Sequence, residues 1–248
     1  MRKVGLSLAL LGLVGVASLL LLPLERLAPT QLSPVTIRLL SLIQPAILML
    51  VMVAIGSRLA PKVGLDAPLV RAWTERRPVW PTLREQLPAA AAVGIAAGLV
   101  ILLFGLATAP YFSGSGPGAR ALPNLEVPLL MKLLYGGIVE ELITRWGLMS
   151  LFVWLLWRWS RSECVPAWKM WAGNLLAALL FAAGHLPLLF MLAADPPNWL
   201  IGAVLLGNAV PGLAFGWLFW KRGLESAMLA HALAHIVGTA SAAALGMS

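Results

Sequence analysis

The chain has 248 residues, 60% of them hydrophobic and 11% charged, which is more apolar surface than a soluble domain of this size can bury. The formal net charge of +8 does not mark a nucleic-acid-binding protein, because the basic residues are scattered at the ends of apolar runs rather than gathered with aromatics on one segment. One cysteine, Cys164, excludes an internal disulfide and a multi-cysteine metal centre.

The apolar runs are each continuous for about twenty residues, the length a helix needs to cross a bilayer, and they lack the alternation of a β-barrel. The first, residues 4–24, is longer than a signal-peptide core and has no small-residue cleavage site, so it reads as a retained helix. A second, about 37–57, contains Pro45. Residues 58–88 are charged and proline-rich and are predicted as the one substantial polar loop. The third run, 89–110, ends in Tyr111-Phe112-Ser113-Gly114-Ser115-Gly116-Pro117-Gly118, where glycines and proline make a continued helix costly. A fourth starts near Pro128 and stays helix-compatible to about Trp159, so long that it must tilt, bend near Gly147 or protrude. The last three lie near 168–194, 199–220 and 226–245. The expected architecture is an all-α polytopic transmembrane helical bundle of about seven spans. It forms a single integral membrane domain over 1–248, with N-terminal spans in 1–110 and a functional core in 128–245.

Positive charge is retained on the cytoplasmic side of a membrane. With the N-terminus in the cytoplasm, Arg58, Lys62, Arg71, Arg76, Arg77, Arg84, Arg158, Arg161, Lys169, Lys221 and Arg222 all fall inside, and the opposite loops hold only Arg26, Arg38 and Arg120. The orientation read from this is N-in and C-out. Trp154, Trp157, Trp159, Trp168, Trp171, Trp217 and Trp220 bunch near the proposed cytoplasmic ends, as interfacial anchors do.

Ionisable groups deep in apolar runs are expensive and are kept for function or for a satisfied buried network. Of ten acidic residues only Glu140 and Glu141 lie deep in a run, and all three histidines, His185, His231 and His235, are placed likewise. Glu141 and Arg145 are four apart and can pair on one helix face, whereas Glu140 points about 100° away. Glu140 is therefore the carboxylate left to take a proton from water. His231 and His235 are also four apart, a spacing that can bind one zinc or present two donors to one substrate atom. His185 sits among small residues in Phe181-Ala182-Ala183-Gly184-His185. Glu140, about 18 Å along its helix, and His235, about 14 Å along its own, both come near mid-membrane; His185 does so if 168–173 lies along the interface. Metal-bound histidines nearly always have a supporting group on the second ring nitrogen. Glu141 is already matched to Arg145, so no carboxylate is left for that role, and a metal-free glutamate–histidine site is expected over a zinc site built from His185, His231 and His235.

The ordered set Glu140-Glu141-x-x-x-Arg145, Phe181-x-x-x-His185 and His231-x-x-x-His235 resembles the motifs of the CPBP family, the CAAX-prenyl-protease and bacteriocin-processing intramembrane proteases, also called the ABI family. The similarity covers roughly 129–237 and includes Pro211-Gly212-Leu213-Ala214-Phe215-Gly216-Trp217. It departs from the family where His235 replaces the usual asparagine and Trp146 replaces a small residue. The resemblance implies hydrolysis of a peptide bond within the membrane. Glu140 would activate water with the help of His185, His231 and the residue at 235 would stabilise the oxyanion, and Glu141 and Arg145 would support the site.

The expected protein is thus an intramembrane endopeptidase of a bacterial or archaeal cell membrane. Its partners would be the lipid bilayer and a membrane-associated peptide or protein, with no nucleic acid and no required cofactor, zinc being the possible one. The competing readings are a proton-coupled transporter or channel, which also places carboxylates and histidines at mid-membrane, and a catalytically silent scaffold or immunity protein of the same fold.

Overall fold

In the computed structural model of the chain, residues 2–23, 32–112, 127–160, 162–193 and 195–246 are described. Arg26, Arg120, Arg161 and the glycine-rich segment 113–118 lie outside them. The described elements are all helical: α1 (Arg2–Ala17) with a 3-10 turn Ser18–Leu21, α2 (Pro34–Leu59) with a 3-10 turn Ala60–Val63, α3 (Pro68–Thr74) and α4 (Trp80–Phe112). A continuous helical stretch follows, built from α5 (Leu129–Met131), π turns Lys132–Glu140 and Leu142–Met149, and α6 (Ser150–Arg158). The chain ends in α7 (Ala167–Ala183), α8 (Leu186–Leu192), α9 (Asn198–Arg222) and α10 (Leu224–Ala244).

Among the described residues, six helices are long and apolar enough to cross a membrane, and the protein is an integral membrane helical bundle. The stretch 129–158 is the expected fourth run, more highly charged than the others, and it is enclosed by α1, α2, α7, α9 and α10. The outer faces carry rows such as Leu39, Ile43, Ile47 and Leu50 on α2, all exposed at the spacing of one helix face, as a surface meeting lipid requires.

Two expectations are corrected. The stretch 58–88 is not simply a loop, since it contains α3 and the first turns of α4. Pro68 stands at the start of α3 and Pro81 in the first turn of α4, where a missing N–H costs nothing. Nor do residues 168–173, expected along the interface if His185 is to reach mid-membrane, form a separate segment: α7 runs unbroken from Ala167 to Ala183, and the break falls at Gly184 and His185.

Inner faces use small residues for close approach. On α4, a Cβ at Gly94 would lie 2.8 Å from the Ala230 carbonyl oxygen, and one at Gly98 would lie 2.6 Å from Val237 Cβ. This Gly-x-x-x-Gly pair seats α4 on α10, the helix that carries His231 and His235. Trp146, the bulky departure from the family pattern, is fully buried. Its room comes from Gly56 on α2, whose missing side chain would collide with the Trp146 backbone and ring, and its Nε1 donates to Ser57 Oγ at 3.4 Å.

At one end of the bundle the polar residues form a latch. Val70 N–H donates to Glu225 Oε1 at 2.8 Å, Gln86 Nε2 donates to the Arg222 carbonyl at 2.8 Å, and Leu224 N–H donates to the Asp66 carbonyl at 3.0 Å. Gly223, with φ of 100°, joins α9 to α10 in one residue, a conformation in which an L side chain would be strained. Arg2 and Lys3 share a cleft at one end of the bundle with Arg71 and Arg76. Elsewhere Lys221 lies 3.6 Å from the Trp220 ring centre and Arg158 lies 4.6 Å from that of Trp154.

Candidate active site

Glu140 and Glu141 stand where the two π segments meet. The i→i+5 turns of such segments recur at functional sites. Here the two neighbouring carboxylates go to different environments. The Glu141 side chain is fully buried and that of Arg145 nearly so, with Glu141 Oε2 3.1 Å from Arg145 Nε. Arg145 Nη2 also donates to the Gly212 carbonyl at 3.0 Å, and the guanidinium lies 5.6 Å from the Phe181 ring centre and 5.7 Å from that of Phe215. Aromatic faces on two sides are a favourable setting for a desolvated cation.

The pair does not exhaust Glu141. Its other oxygen, Oε1, accepts a hydrogen bond from His231 Nδ1 at 2.8 Å. This corrects the expectation that no carboxylate is left to support a histidine: one carboxylate serves Arg145 and His231 at once, because its two oxygens point to different helices. His231 is stacked between Phe215, at 4.8 Å, and His235, at 5.0 Å. Its Nε2 lies 3.9 Å from Glu140 Oε2.

Glu140, by contrast, is about one-fifth exposed at its side chain and lines a cavity of about 330 Å³. His185, His231 and His235 line the same cavity, together with Asn208 and apolar residues that include Ile101, Phe104 and Leu189. The four residues singled out by depth thus converge on one space. His185 is placed by the α7–α8 break, and its Nδ1 lies 3.0 Å from the Phe181 carbonyl. His235 fits because residue 136 is glycine: a Cβ there would lie 2.6 Å from His235 Nε2.

Hydrogen bonding assigns the tautomers. A carbonyl and a carboxylate paired with arginine can only accept, so Nδ1 carries the proton in both His185 and His231. In their neutral forms both rings therefore present Nε2 as an acceptor. Both also have second-nitrogen support of the kind metal-bound histidines use, although among the described residues no three His, Cys, Asp or Glu side chains are grouped to hold a metal ion.

Three contributors escaped the sequence reading. Gly136 makes room for His235, Gly212 holds Arg145 through its carbonyl, and Asn208 brings an amide into the cavity. Asn208 left a signal, being a polar residue deep in an apolar run, but an inventory of ionisable groups passes over a neutral amide.

A membrane-embedded helical bundle enclosing a cavity of one poised glutamate and three histidines defines the class: a polytopic membrane protein with an acid–histidine centre. The part of the chain that builds this centre, residues 122–237, is matched by the model of the Rce1-like family of type II CAAX prenyl endopeptidases. That is a family of CAAX proteases. No curated protein and no solved structure matches the chain.

Proposed function

We propose that the protein is an intramembrane endopeptidase in which Glu140 activates the attacking water. The observation that carries this reading is the unequal treatment of two adjacent carboxylates: Glu141 is held by Arg145 and His231, while Glu140 faces a cavity shared with three histidines. The cavity has room for several waters. Glu140 takes a proton from one of them as the water oxygen bonds to the substrate carbonyl carbon, and the C=O π pair moves onto the carbonyl oxygen. His185, an acceptor at Nε2, holds the water's second hydrogen and so aims its lone pair. When the tetrahedral intermediate collapses, the C–N bond breaks and the proton held by Glu140 passes to the leaving amine, directly or by way of His231 Nε2. A carboxylic acid and an amine result from one water.

The chemistry is read as metal-free. Glu140, which stands outside the Glu141–Arg145 pair and faces the cavity, supports a glutamate-type site, and the His231 and His235 rings beside it are stacked with planes 24° apart. The basic end of the bundle is read as cytoplasmic, giving N-in and C-out. The substrate is a membrane-associated peptide or protein, and the family description makes a prenylated peptide ending in a CAAX motif the first to try.

The test is cleavage of such a peptide by the purified protein in lipid vesicles. Glu140→Gln, which keeps the volume but cannot take the proton, is expected to leave no turnover while melting as the parent does. Turnover at the parent rate in that variant would overturn the general-base assignment.

A further inference from the structure

The mechanism above needs hydrogen-bond donors for the developing oxyanion, and the cavity is short of them. Glu140 as a base can only accept. His185 and His231 have committed their Nδ1 protons to the Phe181 carbonyl and to Glu141, so in their neutral forms each shows the cavity a lone pair. His235 can turn either nitrogen outward as donor.

Among the described residues lining the cavity, the remaining polar side chain is Asn208. Val204, Gly207, Asn208, Pro211, Gly212 and Phe215 all line it, and their spacing is that of a single helix face, so α9 turns this side of itself toward Glu140 and the histidines. Asn208 Nδ2 donates one of its two hydrogens to the Val204 carbonyl at 2.8 Å. That bond anchors the amide in one orientation and leaves the second N–H uncommitted. An amide donor is neutral, cannot lose its proton to Glu140, and is already oriented before substrate arrives, which are the properties that make a fixed dipole effective against developing charge.

Resting on the peptidase reading, we propose that Asn208 is a catalytic residue whose Nδ2–H donates to the substrate carbonyl oxygen as it becomes an oxyanion. As water oxygen bonds to the carbonyl carbon and the π pair shifts to the carbonyl oxygen, that oxygen gains an acceptor site which the Asn208 N–H fills. The donor acts beside His235, and the pair of them faces the water held by Glu140 and His185.

The test compares Asn208→Leu and Asn208→Ser with the parent protein in vesicles. Serine can keep the bond to the Val204 carbonyl, since a hydroxyl reaches back four residues in a helix, but it has no second N–H to offer the cavity. Both variants are expected to lose about 10²-fold in kcat with KM within twofold. Affinity for an uncleavable phosphinate analogue of the tetrahedral intermediate is expected to fall by a similar factor, and affinity for an uncleavable ground-state peptide is expected to hold. Parent-like kcat in Asn208→Ser would show that the residue only satisfies its own helix and would overturn the inference, as would a rise in KM at unchanged kcat. If instead the parent protein itself cleaves no peptide in these vesicles, the peptidase reading falls and this inference with it.

Discussion

Glu141 and His231 lie 90 residues apart in the chain and are joined by a 2.8 Å hydrogen bond in the interior of the bundle. With the Arg145 pair at 3.1 Å, this makes Glu141 the structural centre of the site, a carboxylate that organises a cation and a histidine while its neighbour faces the cavity.

Removing the Glu141 charge is therefore expected to destabilise the fold. Glu141→Gln leaves Arg145 buried without its counter-charge, and breaking a buried pair from one side costs about 3–5 kcal/mol. The melting temperature in detergent should fall well below that of Glu140→Gln, and adding Arg145→Met should recover part of the loss. An unchanged melt would mean that the Phe181 and Phe215 faces and the Gly212 carbonyl suffice to hold the guanidinium.

Gly136→Ala places a methyl group 2.6 Å from His235 Nε2, so the imidazole must move. Cleavage is expected to drop at least about tenfold, in line with the sensitivity of catalysis to misplacement. Gly202→Ala, where a Cβ meets nothing within 4 Å, serves as the control and should cleave as the parent does. Equal rates in the two variants would remove His235 from the working site.

Treatment with a strong chelator is expected to leave cleavage intact. If activity is lost on stripping and returns with one equivalent of zinc, the supported Nε2 atoms of His185 and His231 are ligands, and Glu140 works on a metal-bound water.

A reporter fused to the C-terminus is expected to work only outside the cytoplasm. A fusion active only inside would reverse the orientation or change the number of spans by one.

The parts of this architecture that depend on local spacing could be read before folding was considered. Glu141 and Arg145 are four apart and pair, and a run of about twenty apolar residues becomes a helix whatever surrounds it. The bond from Glu141 to His231 was not legible, because it depends on how closely α10 settles against the π turns, and α10 is seated by Gly94 and Gly98 on a helix outside the motif-bearing 129–237. The π turns themselves leave no trace in a pattern read with α periodicity. Glu225 looked like a solvated residue at a run end, yet it is buried, because its partner, the Val70 N–H, arrives from a stretch taken for loop.

The latch between Asp66, Val70 and Gln86 on one side and Arg222, Leu224 and Glu225 on the other bears on where this protein could be cut. The family match begins at residue 122, which invites excision of the second half as a minimal enzyme. Such a fragment would give up every bond of the latch and the glycine seat of α10 on α4. It would also leave Trp146 facing lipid where Gly56 had covered it. The two halves are better regarded as complementing pieces of one folding unit, so that co-expressing 1–121 with 122–248 should restore what the second piece alone lacks.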